Sequence, residues 1–184
     1  MRYEEMKEEE LKETLELVKR VFDEFEAPDY TDEGVTNFYK FIDYDSILEQ
    51  LKDNFKIFVA KVEEQIIGMV CIRDYSHVAM LFVDKKYHKK GIGTELMNIV
   101  KNYCQEKDED NYNITVNSAP FAIGFYHKIG FKDTGKEQTV DGIRFLPMQI
   151  SIYKFKEYRD EYFDYLYQTK KECFKWYVEK IYGP

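Results

Sequence analysis

The chain has little of what would settle its class at once. Only three of its 184 residues are cysteine, Cys71, Cys104 and Cys173. An odd number at wide spacing makes neither a zinc pattern nor a CxxC redox pair, so three reduced thiols in a cytoplasmic protein are expected. Its three histidines are scattered, with no carboxylate cluster beside them, and no metal site is expected. Long apolar runs are missing as well. The longest, Ile66–Ile72 and Val78–Val83, fall far short of the roughly 20 residues of a membrane helix. The first ten residues carry five glutamates, so no secretory leader with a basic start is read there. An excess of positive charge is also lacking: 27 Lys and Arg stand against 35 Asp and Glu, a net of −8. A general nucleic-acid or membrane-surface binder would want a net basic face, and neither partner is expected.

What is present is a globular composition, 44% hydrophobic and 34% charged, over a length that suits one domain. A chain of this size buries a sizeable core without a disulfide or metal staple. Its charge is uneven. Residues 1–50 hold 6 basic against 16 acidic side chains, and the remainder is close to neutral. The acidic stretch reads either as a solvated face or as a surface that attracts cationic amines. Aromatic residues make up 17% of the chain.

Periodicity gives the order of elements. Arg2–Met6 is a short strand. Leu11, Leu15, Val18, Phe22 and Phe25 set a helix over Glu8–Glu26, closed by Pro28. Thr31 is the N-cap of a second helix carrying Val35, Phe38, Tyr39 and Ile42. Ile47, Leu48 and Leu51 mark a short third one. Lys56–Val62 and Ile66–Arg73 form a hairpin, and His77–Val83 is a nearly continuous apolar strand of the buried, central kind. A helix over Thr94–Glu106, a strand over Asn111–Val116 and a helix over Pro120–Ile129 ended by Gly130 follow. Phe131–Thr134 begins a strand, Asp141-Gly142 marks a hairpin turn, and Ile143–Ile152 is the last strand. The fold class is therefore α/β, a mixed central sheet of about six to seven strands with flanking helices. Residues 153–184 are a separate, aromatic-rich extension. Tyr158, Tyr162, Leu166, Cys173, Tyr177 and Ile181 give it helical spacing over 157–181. Such a stripe buries against its own chain, against a second copy in a homodimer, or over a ligand site.

The most informative segment is Val83-Asp84-Lys85-Lys86-Tyr87-His88-Lys89-Lys90-Gly91-Ile92-Gly93-Thr94, which leaves a buried strand and enters a helix. A glycine-bearing turn at a helix start leaves several N–H groups unpaired and pointing one way, and the helix dipole adds positive potential. Phosphate and pyrophosphate suit such a site. It is no Walker loop, since GxxxxGK[ST] is absent. It is no dinucleotide fingerprint either, since Leu96 stands where GxGxxG needs its third glycine.

His88-Lys89-Lys90-Gly91-Ile92-Gly93 resembles the H/Q-x-x-G-x-G acetyl-CoA motif of the GNAT (GCN5-related) N-acetyltransferases. Asn117-Ser118-Ala119-Pro120-Phe121-Ala122-Ile123-Gly124-Phe125-Tyr126-His127-Lys128-Ile129-Gly130-Phe131 resembles that family's N-x-x-A…FYxKxGF segment. The two lie at the family's usual separation, and the resemblance covers residues 1–152. It implies that strands His77–Val83 and Asn111–Asn117 splay apart and admit the pantetheine arm of acetyl-CoA. Leu81, Phe82 and Val83 would pair with its amides as an added strand. Amides from Lys89, Lys90, Gly91, Ile92, Gly93 and Thr94 would hold the pyrophosphate, and His88 would also belong to the cofactor site. Asn117 and Phe125 would meet the arm. Tyr126 would be the general acid that protonates the departing thiolate; ordinary values near 8.5 for a thiol and 10 for tyrosine ask for no extreme shift. For the base, His77 opens the central strand and is favoured, with Asp74, Tyr75 and Glu33 as rivals. In this family the acceptor is usually held by the N-terminal helices, here around Tyr30, Glu33 and Phe38. The function expected is acetyl transfer to a small-molecule or peptide amine by direct attack in a ternary complex. The alternative is a module that binds acetyl-CoA as a sensor or scaffold without turnover.

Overall fold

The computed structural model describes residues 1–107, 113–152, 168–170 and 172. Residues Met1–Ile152 form one compact unit, and Tyr153–Pro184 another. The helix expected over 157–181, and any contact it would make with a second copy, lies outside the described residues; 168–170 and 172 are helical.

Strands β1 (Arg2–Glu5), β2 (Phe55–Val62), β3 (Gln65–Arg73), β4 (His77–Val83), β5 (Asn113–Ser118), β6 (Lys132–Asp133), β7 (Gln138–Val140) and β8 (Ile143–Ser151) join helices α1 (Leu11–Phe25), α2 (Asp32–Phe41), α3 (Tyr44–Asp53), α4 (Ile92–Lys107) and α5 (Ile123–Lys128). The sheet runs β1-β2-β3-β4-β5-β8-β6, with β7 also on β8. It is a mixed α/β sheet with helices on both faces. Leu11, Leu15, Val18 and Phe22 of α1 bury against Ile57, Met69, Met80 and Phe82 on one face. Leu96, Met97, Val100 and Cys104 of α4 bury against Val70, Ile72, Ile114 and Val116 on the other. The spacing of three and four on each helix and the alternation of the strands produce these two layers.

Thr31 caps α2 as its position suggested, its hydroxyl accepting from the Gly34 amide at 3.2 Å. Gly130 closes α5 with φ +98°, where the Phe131 amide reaches back to Tyr126 O at 3.0 Å. The last hairpin differs from the expectation in one respect. Its first arm is two pieces: β6 pairs with Gln149–Met148 and β7 with Phe145–Ile143, and between them the Thr134 N–H bonds Pro147 O at 2.9 Å without continuing either ladder. Proline has no N–H to give to a ladder. The turn itself is Asp141-Gly142, with φ +50° and +78°, the left-handed pair that a two-residue hairpin needs.

One charge lies deep in the first layer. Lys61 is only 2% exposed and is paired with Glu4 at 2.7 Å and with Glu10. Its hydrogen bonds to both carboxylates hold them below the usual range. A group with a depressed folded value stabilises above its unfolded value and loses that contribution as pH falls through the folded one. Lys61→Met is therefore expected to lower the thermal midpoint at pH 7 and to flatten its decline below about pH 4. An unchanged acid limb in pH-dependent melts would show that this triad does not set acid stability.

Candidate active site

The site starts from an interruption in the sheet. Strands β4 and β5 are parallel neighbours, yet only His77↔Thr115 and Val78↔Val116 are in register. Beyond Val78 they part. The cause is visible on the β3 side, where the ladder skips a residue between Met80 and Val78. Ala79 is extra, and it and Met80 both turn to the α1 face. A bulge bends and twists its strand, and here it swings the end of β4 away from β5.

That leaves a strand edge open. Asp84 N–H bonds Ile67 O at 2.8 Å. By the alternation of an antiparallel ladder, Phe82 and Met80 then spend their backbone groups on β3, while Leu81 and Val83 turn theirs toward the gap. So two of the three residues expected to pair with a pantetheine arm offer their amides and carbonyls; Phe82 does not. His88 departs from expectation too. Its ring nitrogen Nε2 lies 2.8 Å from Val83 O, so it fastens the loop to the strand end and occupies one of those carbonyls.

The loop after β4 has the shape its glycines predict. Lys89 and Gly91 adopt φ +59° and +84°. The Glu95 amide, bonding Gly91 O at 3.0 Å, is the first in α4 to find a carbonyl, which leaves those of Ile92, Gly93 and Thr94 without one in the helix. Gly93 has a second task. A Cβ there would sit 3.2 Å from the Phe125 ring, so its lack of one lets α5 close on α4. The Ile92 side chain is core; only its amide faces the loop. Lys90 lies over the Tyr87 ring at 4.8 Å and Lys85 pairs with Glu24, while Lys86 and Lys89 are exposed. These amides and the free edge of β4 fit a pyrophosphate joined to an amide-bearing arm.

Tyr126 is 4% exposed, packed edge-on against Phe125 and Phe131. Burial raises its phenol well above the ordinary value, and the field of Glu26 adds to the rise. The sequence asks for no extreme shift; the burial of the ring imposes a large one. Tyr126 belongs to the layer on the α4 face, whereas Glu26 caps the C-terminus of α1 on the opposite face. Glu26 Oε2 lies 3.5 Å from the Tyr30 hydroxyl, and burial pushes its carboxyl up to about 7.

His77 lies elsewhere. It sits in the paired, closed end of the two strands, with Nδ1 2.9 Å from Thr115 Oγ1. Burial holds it below its ordinary value. Its neighbour Val78 faces the layer that contains Tyr126, so strand alternation turns His77 to the other side. Asp74 and Tyr75 occupy the β3–β4 turn, with Asp74 accepting from Asn54 at 2.8 Å. The fold brings none of the three to Tyr126. Glu26 was not among the residues the sequence singled out: there it is one more charge at the end of an amphipathic acidic helix.

Asn37, Asn117, Val140, Asp141, Ile143 and Phe145 line an open cavity of about 610 Å³. Asn117 thus opens onto this space. The β7–β8 turn bounds it by docking on α2: Thr31 N–H bonds Gly142 O at 3.1 Å, and Asn37 Nδ2 donates to Asp141 O at 3.1 Å. Tyr30 is half-buried, edge-on to Phe22 at 5.6 Å. Glu33 is exposed in the first turn of α2. Phe38 is corrected outright as a substrate contact. It is 8% exposed and stacked on Phe22 at 3.8 Å, beside Phe82, and it holds α2 on the sheet.

Known proteins share this architecture. Residues 26–152 match the model of the acetyltransferase (GNAT) domain, and the chain belongs to that family. A GCN5-related N-acetyltransferase of Rhodopseudomonas palustris superposes with a TM-score of 0.71 at 17% identity, over 82% of this chain and 95% of that one. The PaiA N-acetyltransferase of Thermoplasma acidophilum, solved with coenzyme A, gives 0.68 at 17%, over 82% and 99%. Tetrahymena GCN5 gives 0.60 at 20%, over 86% and 100%. No helix among the described residues is long and apolar enough to cross a membrane.

Proposed function

We propose that the chain is an acetyl-CoA-dependent N-acetyltransferase that acts on a primary amine by direct transfer in a ternary complex. The observation that carries this reading is the parting of β4 from β5 after Val78, with Tyr126 buried beside the gap. The edge left open at Leu81 and at the Val83 amide takes the pantetheine arm as an added strand, and the amides of Ile92, Gly93 and Thr94 take the pyrophosphate. Acetyl-CoA supplies an activated acyl carbon with a thiolate leaving group. Tyr126 donates to the departing sulfur. Its raised value is no obstacle, because the same dry surroundings raise a thiolate's basicity. Cys104, in the same apolar layer, is pushed up to about 12 by burial alone.

The acceptor enters from the cavity under the β7–β8 turn. Asp141 gives it a carboxylate and Phe145 a ring, a pairing that suits a cationic amine. Asp141→Asn preserves the left-handed turn, which asparagine tolerates, and removes the charge. It is expected to raise KM for a cationic acceptor about 5-fold, a loss near 1 kcal/mol, with kcat and the KM for acetyl-CoA kept. Equal KM values in variant and parent would remove Asp141 from the acceptor site. The overall reading is tested by thiol release from acetyl-CoA over a panel of polyamines, aminoglycosides, small amines and lysyl peptides.

A further inference from the structure

We infer that Glu26 is the proton acceptor of this reaction, taking a proton from the acceptor's ammonium at the gap between β4 and β5. The inference rests on the acetyl-transfer reading above and adds the group that sequence reasoning placed elsewhere.

Three observations converge on Glu26. First, position. It follows the last turn of α1, and that end of the helix is fixed over the gap from both sides. Arg20 bonds Asp84 at 2.9 Å and Phe25 packs on His88 at 5.1 Å, both on the loop after β4. Phe25 also packs on Phe121 at 4.6 Å, just past β5. The helix end therefore bridges the two strand ends, and Glu26 is the residue that caps it. Second, partners. Its neighbours in charge turn away: Glu24 pairs with Lys85, and Asp29 faces Arg144 at 3.9 Å. The groups that face Glu26 are the Tyr30 hydroxyl, from the turn after α1, and the Tyr126 phenol, from α5. Among the described residues no cation acts on it, and only the long hydrogen bond from the Tyr30 hydroxyl favours its ionised form before an ammonium arrives. Third, pairing of roles. A carboxyl that titrates near neutrality and a phenol that stays protonated face one gap from opposite sides of the sheet, which is how environments sort a base from an acid.

The proton balance closes with these two groups. Glu26 takes one proton from the ammonium. The freed nitrogen bonds to the acyl carbon, and the carbon–sulfur bond breaks. Sulfur receives the Tyr126 proton, and the proton shed by nitrogen as the amide forms restores the phenol. Glu26 returns its proton to water.

The test is the pH dependence of kcat/KM for the best acceptor of the panel, in the full chain and in Glu26→Gln. The parent should rise with pH, because only the carboxylate accepts, and level off above about 7. Glu26→Gln should lose about 100-fold at pH 7 and climb tenfold per pH unit toward the amine's own value near 10. Its affinity for acetyl-CoA should equal the parent's. Glu26→Asp should keep a limb near neutrality at reduced rate, and it decides the matter if the glutamine variant binds no coenzyme. A parent that turns over, with a glutamine variant of unchanged rate and limb, overturns the assignment and leaves the transferase reading standing. A parent that binds acetyl-CoA but acetylates no amine overturns both.

Discussion

Replacing Tyr126 by phenylalanine is expected to cut kcat by about 10²- to 10⁴-fold while coenzyme affinity stays within about 2-fold. The substitution removes one oxygen from a ring that is otherwise packed on all sides by Phe125, Phe131 and the α4 layer. Among the described residues that hydroxyl makes no hydrogen bond, so its loss orphans no partner and the core should hold. The effect then falls on the step in which sulfur leaves. Because burial and the Glu26 carboxylate both hold the phenol protonated, the parent should show no alkaline loss from this group below about pH 10. Stopped-time thiol release with isothermal binding of acetyl-CoA separates the two quantities. A phenylalanine variant with parental kcat would mean that thiolate departs without Tyr126, and a non-catalytic role for the ring would follow.

Gly34→Ala should destabilise, against the sign that helix propensity gives. Alanine inside a helix normally gains about 1 kcal/mol over glycine. Here a Cβ would stand 2.2 Å from Gly142 O and 2.5 Å from Gly142 C, both backbone atoms of a tight turn that cannot yield like a side chain. Gly142 returns the constraint, since a Cβ on it would meet Thr31 Oγ1 at 2.2 Å. The two glycines mesh at the seam between α2 and the β7–β8 turn, beside the cavity proposed for the acceptor. Overpacking of this kind costs about 1–3 kcal/mol, a fall of roughly 3–10 °C in midpoint for a domain of this size. The hairpin should also lift, raising KM for the amine more than KM for acetyl-CoA. A variant as stable as the parent, with unchanged KM values, would show that the seam is loose in solution.

The contrast between these glycines and the loop glycines explains what the sequence could and could not reveal. Gly91 and Gly93 sit beside a strand end and a helix start, and their local context already suggested an anion-binding turn. Gly34 lies mid-pattern in a helix, and its reason is a backbone more than 100 residues away. The elements themselves were legible, because α1, α2 and the β2–β3–β4 meander each carry their own periodicity, caps and turns. The splay was implied by family resemblance, but the extra residue at Ala79 that accompanies it leaves no mark in an apolar run of six. Glu26 and His77 fail for the same reason from opposite directions. A histidine at a strand start draws attention, yet register pairs it with Thr115. A glutamate at the end of an acidic helix draws none, yet the end of helix α1 packs on the segments that follow β4 and β5.

The most direct test is an initial-rate study of thiol release by the intact chain, varying acetyl-CoA at several fixed concentrations of its best amine, with the acetylated product identified by mass. Direct transfer in a ternary complex predicts amine-dependent release and double-reciprocal lines that intersect. Parallel lines, or acetyl-CoA bound with no amine acetylated, would contradict it.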